Sequence, residues 1–206
     1  MSKERHEILQ KLRQARSTES ETFRTIFEGV YQPARGAQAA EVIVLADGAR
    51  WLWHRGEEIA PQAVQILDFS HGKHSLWEAA KLLYGPGSGF LAPWGKEHAT
   101  LLLEDKVEQG MAHLRPFLDL APDLDAISQS FAHNAARMHY GTSRQRGYFI
   151  GSGAIERAGK QIAAARLTGP GMRWQVADLN ALLILRCVFL EQSWQAYWDT
   201  QARLVA

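Results

Sequence analysis

Apolar side chains first recur at helical spacing at Phe23, Ile26, Phe27 and Val30, just after Thr18-x-x-Glu21, which has the form of a capping box. Residues 5–16 are charged and helix-favouring, so the first 30 residues read as two helices, the second stopped by Pro33 and Gly36. The period then changes. Glu41-Val-Ile-Val-Leu-Ala-Asp47 is a short β-branched apolar run ending in an acid before Gly48, the pattern of a buried strand. A second run, Ala63-Val-Gln-Ile-Leu-Asp68, follows after one helix of sequence (Arg50 to Ala60) and Pro61. Strand, crossover and strand predict a parallel pair.

From Leu76 onward the pattern is helical, broken by the loop Gly85-Pro86-Gly87-Ser88-Gly89, by Pro116 and Pro122, and by Gly147 to Gly153. Residues 76–147 read as a helical insertion. The last element, from about Gln175 to Trp198, is apolar on nearly every face, which predicts a helix buried against its neighbours. The expected class is therefore α/β, mostly helical. Its expected segments are N-terminal helices over 1–35, strands carrying Asp47 and Asp68 over 36–75, the insertion over 76–147, and C-terminal helices carrying Glu156 over 148–206.

Composition adds bounds. With 206 residues, 46% of them hydrophobic, the chain can bury the core of one domain, with or without an insertion. No apolar run approaches the roughly 20 residues that span a bilayer, and no export signal is visible, so no membrane is expected and the expected compartment is the cytoplasm. The one cysteine, Cys187, lies in an apolar run and is expected to be a buried small hydrophobe. The net charge of +1 is unevenly spread. Residues 137–173 hold seven bases (Arg137, Arg144, Arg146, Arg157, Lys160, Arg166 and Arg173) against Glu156 alone, a net +6, whereas 104–125 hold six acids against two bases, a net −4. A basic segment in a neutral chain points to a polyanion-facing surface or to a solvated helix face.

Chemistry gathers at the strand ends. Asp47 ends the first strand and Asp68 the second, and ligands of open α/β sheets collect at the carboxyl ends of parallel strands. Two carboxylates there favour a divalent ion, unless each merely caps the next turn. His71 stands three residues after Asp68, with His74 beyond. Zinc would require further ligands at tetrahedral spacing, so the imidazole of His71 is expected to orient a carboxylate, contact a phosphate or be satisfied by backbone. Glu156 sits in Gly151-Ser-Gly-Ala-Ile-Glu156-Arg157, a turn opening a helix that runs through Lys160 and Arg166. The helix dipole favours an acid there on its own account. A lone acid in a basic stretch is also the setting of a metal ligand approached by phosphates, and divalent ions between carboxylates stabilise an in-line phosphoryl displacement. Arg166-Leu-Thr-Gly-Pro-Gly-Met-Arg173-Trp174 could grip a nucleic-acid backbone and stack on a base, although Trp174 could equally be packing.

Four segments in this order and spacing resemble the ISKra-type insertion-sequence transposases, bacterial relatives of the RNase-H-like DDE enzymes. They are Val44-Leu-Ala-Asp47-Gly-Ala-Arg-Trp51-Leu-Trp53, Pro61-Gln-Ala-Val-Gln-Ile66-Leu67-Asp68-Phe-Ser-His71, Gly151-Ser-Gly-Ala-Ile-Glu156 and Gly171-Met-Arg-Trp174. The resemblance implies a partial RNase-H-like fold with a helical insertion, and Mg²⁺ or Mn²⁺ as cofactor. It also implies double-stranded DNA (transposon ends and target) as partner; the basic segment and its turn offer Arg144, Arg146, Arg157, Lys160, Arg166, Arg173 and Trp174 as the expected DNA contacts, and a homo-oligomer is left open. Such enzymes take a first catalytic aspartate from an upstream strand, and no aspartate precedes Asp47 here. Asp47 then maps to the second acid, Glu156 to the third, and Asp68 with His71 to an Asp-x-x-His motif; a rival mapping makes Asp47, Asp68 and Glu156 a full triad. On the first mapping the chain is N-terminally truncated, two strands alone leave an open edge, and little activity is expected in isolation. The alternatives are a non-catalytic DNA-binding or assembly remnant of such an enzyme, and an unrelated α/β domain.

Overall fold

The computed structural model describes residues 20–32, 36–151, 153, 157, 159–164 and 167–205. The expected helix over 5–16, Thr18 of the capping box, Glu156 and Arg166 lie outside the described residues. Two compact units are present, one Ala40–Ser152 and the other Met1–Ala39 with Gly153–Ala206.

In the first unit β1 (Ile43–Ala46) and β2 (Val64–Leu67) pair in parallel, Ile43 opposite Val64 and Ala46 opposite Leu67. This is the expected strand, crossover, strand unit. The crossover helix α2 (Arg50–Ile59) presses Gly56 onto β1, where a Cβ would lie 3.4 Å from Val44, and buries Trp53. Helix α3 (Phe69–Tyr84) then starts directly after β2, seven residues ahead of the expected helical onset at Leu76, because Asp68 serves as its N-cap. Four further helices complete the unit: α4 (Leu91–Leu103), α5 (Val107–Ala112), α6 (Pro122–Asn134) and α7 (Tyr140–Gln145), with 3₁₀ turns at Arg115–Leu120 and Ala135–Arg137. The architecture is α/β and mostly helical.

One core serves strands and helices together. Trp53, Ile66 and Leu67 share a buried cluster with Leu76, Leu102, Leu114, Leu124, Phe131, Met138 and Tyr140. Burying each such side chain contributes roughly 1.5–3 kcal/mol, so the strand pair draws its stability from the helices laid on it. A polar seam fixes where α6 meets α2 and the sheet. The Trp53 indole N–H donates to Asn134 Oδ1 at 3.2 Å, and Arg137 lies over the Trp53 ring while donating to Gln65 Oε1 at 2.6 Å. Elsewhere in the unit Asp105, at φ 61°, receives Gly141 N–H (2.7 Å), Thr142 N–H (2.8 Å) and Thr142 O–H (2.7 Å), which caps α7 from 36 residues away. Gly141 is required there: a Cβ would come 2.8 Å from Leu103 O.

In the second unit α1 (Ser20–Tyr31) carries Phe23 and Phe27 of the expected helical stripe, their ring centres 6.4 Å apart, and Tyr31 extends the row edge-on at 6.5 Å from Phe27. A π-helical turn (Lys160–Ala164) meets α8 (Val176–Leu190) around Ile162, Leu167, Leu183 and Cys187, so Cys187 is the buried hydrophobe expected of it. The single helix expected over 175–198 is instead two, α8 and α9 (Trp194–Val205). Gln192 adopts φ 56° and Ser193 N–H reaches back to Val188 O, a Schellman-type stop without its usual glycine. Apolar side chains on α8 also reach solvent, Val176 and Phe189 among them, so its burial is partial. Among the described residues no helix is long and apolar enough to cross a membrane.

Candidate functional site

The two strand ends lie side by side. Asp47 and Asp68 each come directly after the last register pair, Ala46 and Leu67, and Asp68 N–H donates to Ala46 O at 2.7 Å. The residues beyond each acid decide where its carboxylate goes. After Asp47 the chain turns through Gly48 at φ 99°, where a Cβ would also sit 2.8 Å from Leu67, so only glycine fits on both counts. Asp47 Oδ1 accepts Ala49 N–H at 3.1 Å in an Asx turn, and its side chain stays exposed. After Asp68 a helix begins at once. Asp68 Oδ1 accepts Ser70 N–H at 2.6 Å and His71 N–H at 3.1 Å, and the residue is only 3% exposed. Here the capping alternative holds for the buried acid.

Capping α3 at this point sets His71 in its first turn, exposed and beside Asp47. Both line a cleft of about 290 Å³ with Leu67, Gly72, Ser75 and, from α6, Ser130, Phe131 and Asn134. Asn134 is engaged at both ends, its amide N–H donating to Ser130 O at 2.9 Å and its oxygen accepting from Trp53, so it shapes the wall. Behind the cleft, Tyr140 is fully buried and its hydroxyl has no hydrogen-bond partner among the described residues. Burial, and then the negative charge of Asp68, push its pKa above the usual phenol range. A Cβ on Gly72 would come 3.2 Å from that hydroxyl, so α3 approaches Tyr140 closely because residue 72 has no side chain.

The structure thus brings together Asp47, His71 and, one layer in, Asp68. Of the basic candidates in this unit, Arg144 is exposed on α7, whereas Arg146 pairs with Glu41 and lies 4.7 Å over the Tyr148 ring. Tyr148 O–H also donates to Glu41 at 2.6 Å, and this bond first, then the Arg146 charge, hold the Glu41 carboxyl below its ordinary range against some burial. Arg157, Lys160 and Arg173 are exposed in the second unit, and the Trp174 indole N–H closes a turn onto Leu167 O at 3.0 Å while the ring stays partly exposed. Among the described residues no three His, Cys, Asp or Glu side chains are grouped as metal ligands. Asp47 fits such a role, being exposed with one oxygen engaged by a backbone N–H; Asp68, spent on a helix cap, fits it poorly. Sequence reasoning missed Asn134 and Tyr140. Asn134 carried a signal, as a polar residue on the buried stripe Leu124, Phe131, Asn134 of α6; Tyr140 carried none. No protein-family model, curated protein or solved structure matches the chain.

Proposed function

We propose that the chain carries part of the DNA strand-cleavage and strand-transfer site of a DDE-type transposase of the ISKra kind, on a partial RNase-H-like scaffold. The observation that supports this reading is the pair of neighbouring parallel strands that each end in an aspartate, with the Asp47 carboxylate open to a cleft that His71 shares. In this reading Asp47 would be one ligand of Mg²⁺ or Mn²⁺, which would supply Lewis-acid stabilisation of the attacking and leaving oxygens at a scissile phosphate, and Glu156 is the last acid that the resemblance implies. Asp68 is a positioning residue: by capping α3 it fixes His71 at the cleft, where an imidazole can contact a phosphate oxygen. Arg144, Arg146, Arg157, Lys160, Arg166, Arg173 and Trp174 contact duplex transposon-end or target DNA, the arginines on phosphates. Without a first acid upstream of Asp47, the chain by itself nicks DNA weakly. The test is Mg²⁺-dependent nicking of supercoiled plasmid by the purified chain. Little nicking is expected, and robust nicking abolished by Asp47→Ala would overturn the incomplete-site part of the proposal.

A second reading has an observation of its own. The commitment of Asp68 to a helix cap leaves one free strand-end acid in the described part of the site, as in a DNA-binding remnant that no longer does chemistry. Salt-sensitive DNA binding that survives loss of both Asp47 and Glu156, without any metal binding, would favour it.

A further inference from the structure

We infer that the outer face of α3 is a track for single-stranded DNA running up to the strand-end cleft, with phosphates held by Lys73, His74 and Lys81 and a base stacked on Tyr84 and Phe90. The choice of DNA rests on the proposed function; the track itself rests on the geometry of the helix face and of the aromatic rings at its end.

Ser70, Lys73, His74, Trp77, Lys81 and Tyr84 recur at steps of one, three and four residues and so share one face of the helix. All but Tyr84 line, with Glu78, an open groove of about 460 Å³, immediately beside the face on which His71, Gly72 and Ser75 line the cleft. Glu78 is the one acid in that groove, and it is flanked by the groove's own bases: Lys81 Nζ lies 2.6 Å and His74 Nε2 3.8 Å from the same carboxylate oxygen. Lys73 is exposed and has no ion-pair or hydrogen-bond partner among the described residues, so its charge is available to a phosphate. Trp77 forms a fixed wall, packed so closely on Gly95 of α4 that a Cβ there would fall 2.3 Å from its ring.

At the far end the track meets aromatic rings. Phe90 is 70% exposed and Tyr84 41%, their ring centres 5.9 Å apart, and Trp94 backs Tyr84 at 6.4 Å. The loop that displays Phe90 is braced: Ser88 accepts from Phe90 N–H on its hydroxyl and from Leu91 N–H on its carbonyl, while Gly85 and Gly87 take φ 79° and 82°. A cationic groove ending in an exposed aromatic pair is how proteins hold single strands without sequence preference. A duplex keeps its bases stacked inside and offers Phe90 nothing; a protein partner would use the rings but not Lys73.

The test is fluorescence anisotropy of the full chain with labelled oligo(dT), in EDTA so that no divalent ion contributes. Phe90→Ala is expected to weaken binding about tenfold, the effect of losing one stacked base. Lys73→Ala is expected to weaken it and to flatten the log–log salt dependence by about 0.7. Both side chains are exposed, so both variants should melt as the wild type does. Absence of oligo(dT) binding by the wild type, binding unchanged in both variants, or equal affinity for a duplex that Phe90→Ala leaves untouched would overturn the track. A failed metal site would not alter any of these outcomes, because EDTA excludes metal throughout.

Discussion

At the end of β1 an aspartate stands in solvent, held by one Asx-turn hydrogen bond; at the end of β2, one strand spacing away, another is buried and holds two backbone N–H groups of a helix. The same residue type at equivalent places in one sheet is an exposed carboxylate in one case and a structural cap in the other. The difference comes from the next residues. Gly48 permits a left-handed turn that swings the chain away before α2 begins, whereas Phe69-Ser70-His71 enters a helix at once and presents its unpaired N–H groups to Asp68. A strand-end acid is open to chemistry only when the chain beyond it does not consume it.

The largest expected effect separates the two acids by stability. Asp68→Ala should cost about 2 kcal/mol in urea unfolding, since it removes a cap and leaves two N–H groups without their acceptor. Asp47→Ala, at an exposed position, should stay within about 0.5 kcal/mol of the wild type. Asp68→Asn keeps an acceptor oxygen and should recover most of the loss; equal costs at positions 47 and 68 would erase the distinction. Next comes Gly48→Ala, which combines a left-handed φ with a close approach to Leu67 and should cost about 1–2 kcal/mol, read by the same titration. An unchanged midpoint there would show that the turn after Asp47 is not constrained.

A pH effect must be kept apart from both acids. His98 is buried, stacked on Trp94 at 3.6 Å, with Nδ1 2.9 Å from Trp94 O and Nε2 2.9 Å from His113 Nδ1. Burial chiefly, with a smaller contribution from His113, holds its pKa below the ordinary imidazole range, outweighing the bond to Trp94 O. The folded chain therefore binds fewer protons at this site than the unfolded chain. The corresponding stability is fully present above about pH 6.5, the unfolded value, and is lost as pH falls from there toward the folded pKa. Urea midpoints measured from pH 8 to pH 5 should fall on the acid side, and His98→Gln should flatten that fall. The comparison of Asp47 with Asp68 is accordingly made above pH 7. The smallest effect belongs to Tyr140→Phe, which removes a buried hydroxyl without a partner while keeping the ring contact to Phe69. It should be neutral or stabilising by up to about 1 kcal/mol, and a loss larger than that would mean the hydroxyl is satisfied.

The strand pair, its parallel sense and the crossover helix were legible in the sequence because two apolar runs with terminal acids bracket one helix length. So was the burial of Cys187. The fates of the two acids were only half legible. Gly48 marked a turn, but the helix start directly after Asp68 went unmarked, the helical period showing only from Leu76, and how closely each acid's surroundings pack depends on Leu67 and on Tyr140, which is far along the chain. The Trp53–Asn134 bond spans 81 residues, and a contact at that separation leaves no periodic trace. The break between α8 and α9 was hidden because Gln192 takes a left-handed conformation without a glycine or proline to announce it.

Manganese titration followed by EPR separates the two strand-end acids, with the wild type beside Asp47→Asn and Asp68→Asn. Saturable Mn²⁺ binding is expected that Asp47→Asn weakens by about tenfold or more and that Asp68→Asn leaves in place. Binding indifferent to Asp47→Asn, or lost only in Asp68→Asn, would contradict this expectation.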